Sequence, residues 1–168
     1  MNKKTKALHA MFLMSSLLTA PVAYGMDCDC WNDIRLNNVR PRVEEESSEC
    51  RFVYYNSSKL EDKHLKDLSN RKSLPNPIKG LHFENTFFTD EAIPDLIKIA
   101  AKLPDLKTFH ITGKNQKITW RSVDRLVSEI AQQNRNGKLS IVVRGPDSGI
   151  IDCEIEGKVL RSTTWKKM

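Results

Sequence analysis

The segment Ile78-Lys79-Gly80-Leu81-His82-Phe83-Glu84-Asn85-Thr86-Phe87-Phe88-Thr89-Asp90, continued through Ile93, Leu96, Ile97, Ala100 and Leu103 to Thr108-Phe109-His110-Ile111, decides the fold. Leu81-His82-Phe83 and Phe109-His110-Ile111 alternate apolar and variable residues, the period of a strand with one buried face. Between them the apolar positions step by three, one, three and three, which lays a single apolar stripe along a helix. Thr89 stands where an N-cap hydroxyl accepts from a free N–H of the first turn, an effect of about 1 kcal/mol. The segment reads strand, helix, strand.

The same unit recurs on both sides. Phe52-Val53-Tyr54 precedes it and Leu139-Ser140-Ile141 follows, so the strand motifs begin at 52, 81, 109 and 139, with spacings of 29, 28 and 30. Ile118-Thr119-Trp120 leads into Val123, Leu126, Val127 and Ile130 with similar stepping, and Thr119 is a second N-cap candidate. Leu60, Leu65 and Leu68 mark the first helix, which Ser58 and Glu61 can open as a capping box. Pro75 and Pro77 stop that helix, and Gly137 is placed to end the third one in a left-handed cap. Superposing the units predicts one core containing Leu81, Phe83, Leu96, Leu106, Phe109, Ile111, Leu126 and Ile141.

Ile78 through Phe83, followed by Phe88-Thr89-Asp90, resembles the strand and turn of a leucine-rich repeat of the ribonuclease-inhibitor type. Leu103-Pro104-Asp105-Leu106-Lys107-Thr108-Phe109-His110-Ile111 resembles the passage from one such repeat into the next. The resemblance covers about residues 50–144. It implies an α/β solenoid of about four strand–helix repeats, with a parallel sheet on one side and helices on the other. Two departures stand out: the asparagine usual after the strand falls at Thr86, with Asn85 one place early, and the third unit has two extra residues, with Asn115 off register. An interior ladder of asparagines is therefore not expected. A doubly wound α/β sheet shares the strand–helix alternation, but near-constant spacing and one stripe per helix favour the solenoid.

The ends read differently. Lys3, Lys4 and Lys6 precede an apolar run from Ala7 to Leu18, then Pro21 and Ala23-Tyr24-Gly25, the order of parts in a cleavable secretory signal at 1–25. The run is too short to span a bilayer, which takes about 20 apolar residues. Residues 26–49 read as a largely irregular, cysteine-containing arm with the polar run Glu44-Glu45-Glu46-Ser47-Ser48. Residues 145–168 read as a hairpin cap and basic tail, with Ile151, Cys153 and Ile155 on one face and a turn at Glu156-Gly157. In an exported chain Cys28, Cys30, Cys50 and Cys153 point to two disulfides. The expected pairing joins Cys50 to Cys28 or Cys30, and Cys153 to the other of the two.

Composition narrows the function. The chain carries 27 Lys and Arg against 21 Asp and Glu, and loses three lysines with the leader, leaving 24 against 21, or +3. That scattered excess is no nucleic-acid footprint, and no further segment is apolar enough to anchor the cleaved chain in a membrane. No phosphate loop, nucleophile elbow or metalloprotease helix occurs, so no catalytic residue or cofactor is assigned. His64, among Glu61, Asp62, Lys63 and Lys66, reads as a solvated residue. Asn56-Ser57-Ser58 matches a glycosylation acceptor and is left unassigned. A solenoid displays its outward strand positions as an array, here Val53, Tyr55, His82, Glu84, His110, Thr112, Ser140 and Val142, with Tyr55 as the anchor. The leading expectation is an exported, periplasmic or extracellular module that binds a protein partner on that face. The alternatives are an exported metal-dependent enzyme or metal-binding protein using His82, His110 and Glu84, and a structural, envelope-associated protein.

The leader makes one direct prediction. Protein recovered outside the cytoplasm should have the intact mass of a chain beginning at Met26, and a mass that includes residues 1–25 refutes the cleavage site.

Overall fold

In Ile78–Glu84, Leu81 and Phe83 are buried while His82 and Glu84 are half-buried, the alternation of a strand that covers a core on one side. The computed structural model describes residues 34–166 except 37, 48–49, 76–77, 115, 134, 146–148 and 158. The leader, Cys28, Cys30, Trp31 and Asn115 lie outside the described residues.

Seven strands stand in chain order in one sheet: β1 (Arg42–Ser47), β2 (Cys50–Asn56), β3 (Ile78–Glu84), β4 (Thr108–Thr112), β5 (Lys138–Gly145), β6 (Gly149–Glu156) and β7 (Val159–Lys166). β2 to β5 are parallel, and β1 at one end and β6 and β7 at the other join antiparallel. Helices α1 (Asp62–Ser69), α2 (Ile93–Ala101) and α3 (Trp120–Ala131) connect the parallel strands, α2 after a 3-10 turn at Asp90–Ala92. The chain is thus α/β, with a mixed sheet and three helices. Residues 42–47 are not irregular as their polarity suggests. They form an edge strand whose Glu44 and Glu45 ion-pair with Arg42 (3.2 Å) and Arg51 (2.9 Å), and charge at an edge discourages stray pairing.

The inward faces of the strands and the stripes of all three helices share one core, which includes the eight residues named from the repeat. Its register corrects the repeat at two strands. Val53, Leu81, Phe109 and Ile141 are aligned, so the spacings are 28, 28 and 32; the first strand motif begins at Val53, not Phe52, and the fourth at Ile141, not Leu139.

Polar contacts repeat with the apolar ones. The Asp62 carboxylate accepts from the backbone N–H (2.8 Å) and hydroxyl (2.6 Å) of Thr89, and Asp90 accepts from the same two groups of Thr119 (2.7 and 3.0 Å). Thr89 also caps the 3-10 turn by accepting from the Glu91 N–H at 3.2 Å, whereas Thr119 caps nothing with its side chain. α1 opens at Glu61, whose N–H donates to His64 Nδ1 at 3.0 Å, so His64 locks a helix start and Ser58 does not. The ends of α1 and α2 each meet a cation from the next unit: Lys102 Nζ donates to the Ser69 and Arg71 carbonyls, and Arg135 donates to those of Ala100 (2.9 Å) and Leu103 (3.2 Å). α3 ends at Gln132, and Gly137 makes its left-handed turn (φ 90°) just before β5 instead. Where the asparagine ladder is missing, buried Thr86 and Gln116 bond to each other across adjacent units at 2.6 Å.

Among the described residues Cys153 has no disulfide partner. It lies buried on the core side of β6 in register with Ile141, and burial pushes its thiol up to about 12. The partner expected for it, Cys28 or Cys30, lies outside the described residues. Cys153 is core packing.

Leu96 sits fully buried in the middle helix. Its replacement by Ala should lower stability by about 2–5 kcal/mol, read as a drop in the urea midpoint at unchanged slope. An unmoved midpoint would mean that the α2 stripe does not hold the sheet.

Candidate binding face

The sheet side opposite the helices presents its side chains in three rows fixed by the strand register. The central row runs Arg42, Tyr54, His82, His110, Val142, Asp152 from β1 to β6. One flanking row runs Glu44, Phe52, Gly80, Thr108, Ser140, Glu154, and the other runs Asn56, Glu84, Thr112, Arg144, Ile150 from β2. Six of the eight expected binding residues, His82, Glu84, His110, Thr112, Ser140 and Val142, belong to these rows.

Val53 and Tyr55 do not. Both are fully buried on the helix side, because a one-residue slip in strand register exchanges its two faces. The Tyr55 ring stacks on Phe83 at 5.2 Å and 10°, and its hydroxyl donates to the Ile34 carbonyl. Burial of that phenol pushes its pKa well above the usual value. The outward residues of β2 are Phe52 and Tyr54. Equal steps of 28 from Val53 to Leu81 to Phe109 were the signal in the sequence that identifies them.

Rings form the middle of the face. Arg42 places its guanidinium 4.7 Å from the centre of the Tyr54 ring, Tyr54 meets His82 edge-on at 4.6 Å, and His82 lies 4.2 Å from His110. Phe52 closes on His82 at 6.2 Å and crosses Gly80, where a Cβ would stand 2.0 Å from Phe52 Cδ1. Only glycine leaves that ring its place. His82 Nε2 is 2.9 Å from the Thr108 hydroxyl, and the Asn56 amide donates to Glu84 at 3.0 Å.

Both imidazoles are held neutral. Burial, then the neighbouring His110, pushes His82 down to about 4. His110 is lowered by burial and then Arg144, against the opposing pull of Asp152 and Glu84. Tyr54 is raised by burial and by its hydrogen bond to Glu44. The metal alternative gains nothing from this geometry: among the described residues no three His, Cys, Asp or Glu side chains converge, and the Asn56 amide engages Glu84. Compared with models of protein families, with curated proteins and with solved structures, the chain matches none.

Neutral imidazoles set a pH dependence. In the unfolded chain they titrate near 6.5, but in the fold they resist protons, so unfolding takes protons up. Stability should therefore be complete above about pH 6.5 and fall as the pH drops towards about 4. Urea midpoints at pH 7.5 and 5 measure the loss, which should shrink in a His82→Gln, His110→Gln double variant. Equal losses in the two proteins would show that other groups cause it.

Proposed function

We propose that this chain is an exported binding module, without catalytic chemistry of its own, that docks a protein partner on the outward face of the sheet. The observation that carries this reading is the continuous tract of half-buried Phe52, Tyr54, His82 and His110, ending at the buried Val142, which no described helix covers. Such a tract has the composition of an interface centre: aromatic rings with low conformational entropy and no net charge, bordered by Arg42, Glu84, Arg144 and Asp152. Tyr54, half-buried and already oriented by Arg42, takes the anchoring role expected of Tyr55.

We further propose that β2 to β5 with their helices are a short leucine-rich-repeat-like array, which β1 and the β6–β7 hairpin close at its two ends. The paired Asp–Thr contacts and the Thr86–Gln116 rung support it, since each joins equivalent positions of adjacent units. A solenoid without such closing elements would leave open core at both ends.

Capture of the native partner from the exported fraction tests the docking face. A Phe52→Ala, Tyr54→Ala variant should lose tenfold or more in affinity, as interface anchors cost about 2 kcal/mol or more. The control is Lys98→Ala, Arg125→Ala on the helix side, with Lys102 spared because it caps α1. Capture that survives the face variant and fails in the control would put the partner on the helices. Failure to capture anything with the unaltered chain would favour the structural, envelope-associated role.

A further inference from the structure

We infer that the partner seated on this face is a second copy of the same chain, related by a twofold axis that runs parallel to the strands between β3 and β4. This rests on the reading of the face as a docking surface and names its occupant.

The argument is one of self-complementarity. Such an axis keeps each row on itself and reverses the strand order, so β1 faces the partner's β6, β2 its β5 and β3 its β4. Two twisted sheets then pack with their strands nearly aligned, the common geometry of face-to-face sheets. In the central row the ends are opposite in charge: Arg42 stands on β1 and Asp152 on β6, so each is brought over the other. Between them Tyr54 meets Val142, and His82 meets His110, all without charge at neutral pH. In the second row Arg144 comes over Asn56, whose amide is bonded to the Glu84 carboxylate, giving a second pair of opposite charges. In the remaining row Glu44 meets Glu154; Lys138 lies 3.9 Å from Glu154, and Glu44, 3.2 Å from Arg42, shares that cation with the facing Asp152. Arg144 and Asp152 are exposed and make no ion pair among the described residues, so they are the charges available to a facing molecule. One surface that meets itself with opposite charges at its ends is the signature of an isologous contact.

The footprint sets the strength. Five strand spacings by four residues is roughly 24 by 14 Å, or about 340 Å² per copy and about 700 Å² in all, below the roughly 1,000 Å² that a stable interface clears, so the dimer expected is a weak one that forms only at high protein concentration.

Sedimentation velocity on the full chain, reduced to exclude intermolecular disulfides, from a few to several hundred micromolar at pH 7.5 tests this. The expected result is a monomer–dimer equilibrium. Arg42→Asp alone and Asp152→Arg alone should each weaken it tenfold or more, while an equimolar mixture of the two variants should recover dimer, because each then supplies the charge the other lacks. Recovery in the mixture also shows that both variants fold. A chain monomeric throughout, or a dimer indifferent to Asp152→Arg, overturns the inference. A monomeric chain that still captures another protein through Phe52 and Tyr54 would leave the docking face standing and remove only the second copy. Loss of both would remove the face as well.

Discussion

Parallel pairing of β2 through β5 under a single layer of helices is the constraint on which the rest of this structure depends. It puts Val53, Leu81, Phe109 and Ile141 side by side, and Tyr55, Phe83, Ile111 and Val143 in the next inward row. Both rows bury completely or nearly so. Hydrophobic burial at about 25 cal/mol per Å² drives this arrangement, and the register follows because any strand shifted by one residue would turn its apolar set to water. Tyr55 shows how strong the preference is. A phenol is taken into the core for its ring, and its one polar atom is satisfied by the Ile34 carbonyl, since an unpaired buried hydroxyl costs about 1–3 kcal/mol.

The same constraint gives the polar groups their places. Successive units lie in register, so a carboxylate on one can reach the start of the next helix, as Asp62 reaches Thr89 and Asp90 reaches Thr119. Backbone carbonyls left over at the helix ends fall within reach of Lys102 and Arg135 from the following unit. These contacts are directional where hydrophobic burial is not, and they fix the distance between units. The interior tolerates some incompleteness: the Oε1 atom of buried Gln116 and the Nε of Arg135 have no hydrogen-bond partner among the described residues. Thr86 and Gln116 therefore form a thinner rung than a run of asparagines would.

Much of this was legible in the sequence. The apolar steps of α2 and α3, the four parallel strand motifs and the buried face of β6 are written as periodicities, and periodicity survives tertiary packing. What was not legible had specific causes. Tyr54-Tyr55 places the same residue on both faces, so composition alone could not fix the phase of β2, and the anchor was assigned to the buried ring. Residues 42–47 read as irregular because three glutamates suit an arm, yet an edge strand has solvent beside it and accepts charge. Cys153 reads as half of a disulfide because a secreted setting favours one, and its position in the alternation of Ile151 and Ile155 also makes it a core residue. Only the three-dimensional layout shows that Lys102 ends the helix before its own.

The two properties of the outward face that bear on function come from one physical cause. His82 and His110 stand side by side because parallel strands in register bring identical positions to about 4.8 Å. Charging either ring there would bring a cation against its neighbour and against desolvating walls made of Tyr54 and Val142, so the fold keeps both neutral. Neutral imidazoles can be covered by another protein at the modest cost of dehydrating polar atoms, whereas covering a charge would cost several kcal/mol. The charges that the sequence does supply stand at the ends of the central row and in the flanking rows, where water reaches them. A surface with an uncharged aromatic middle and charged margins separates strength from selectivity: the middle supplies area, and the margins decide what may sit on it. In this protein both derive from a strand register that was fixed on the opposite side of the sheet, by the packing of its core.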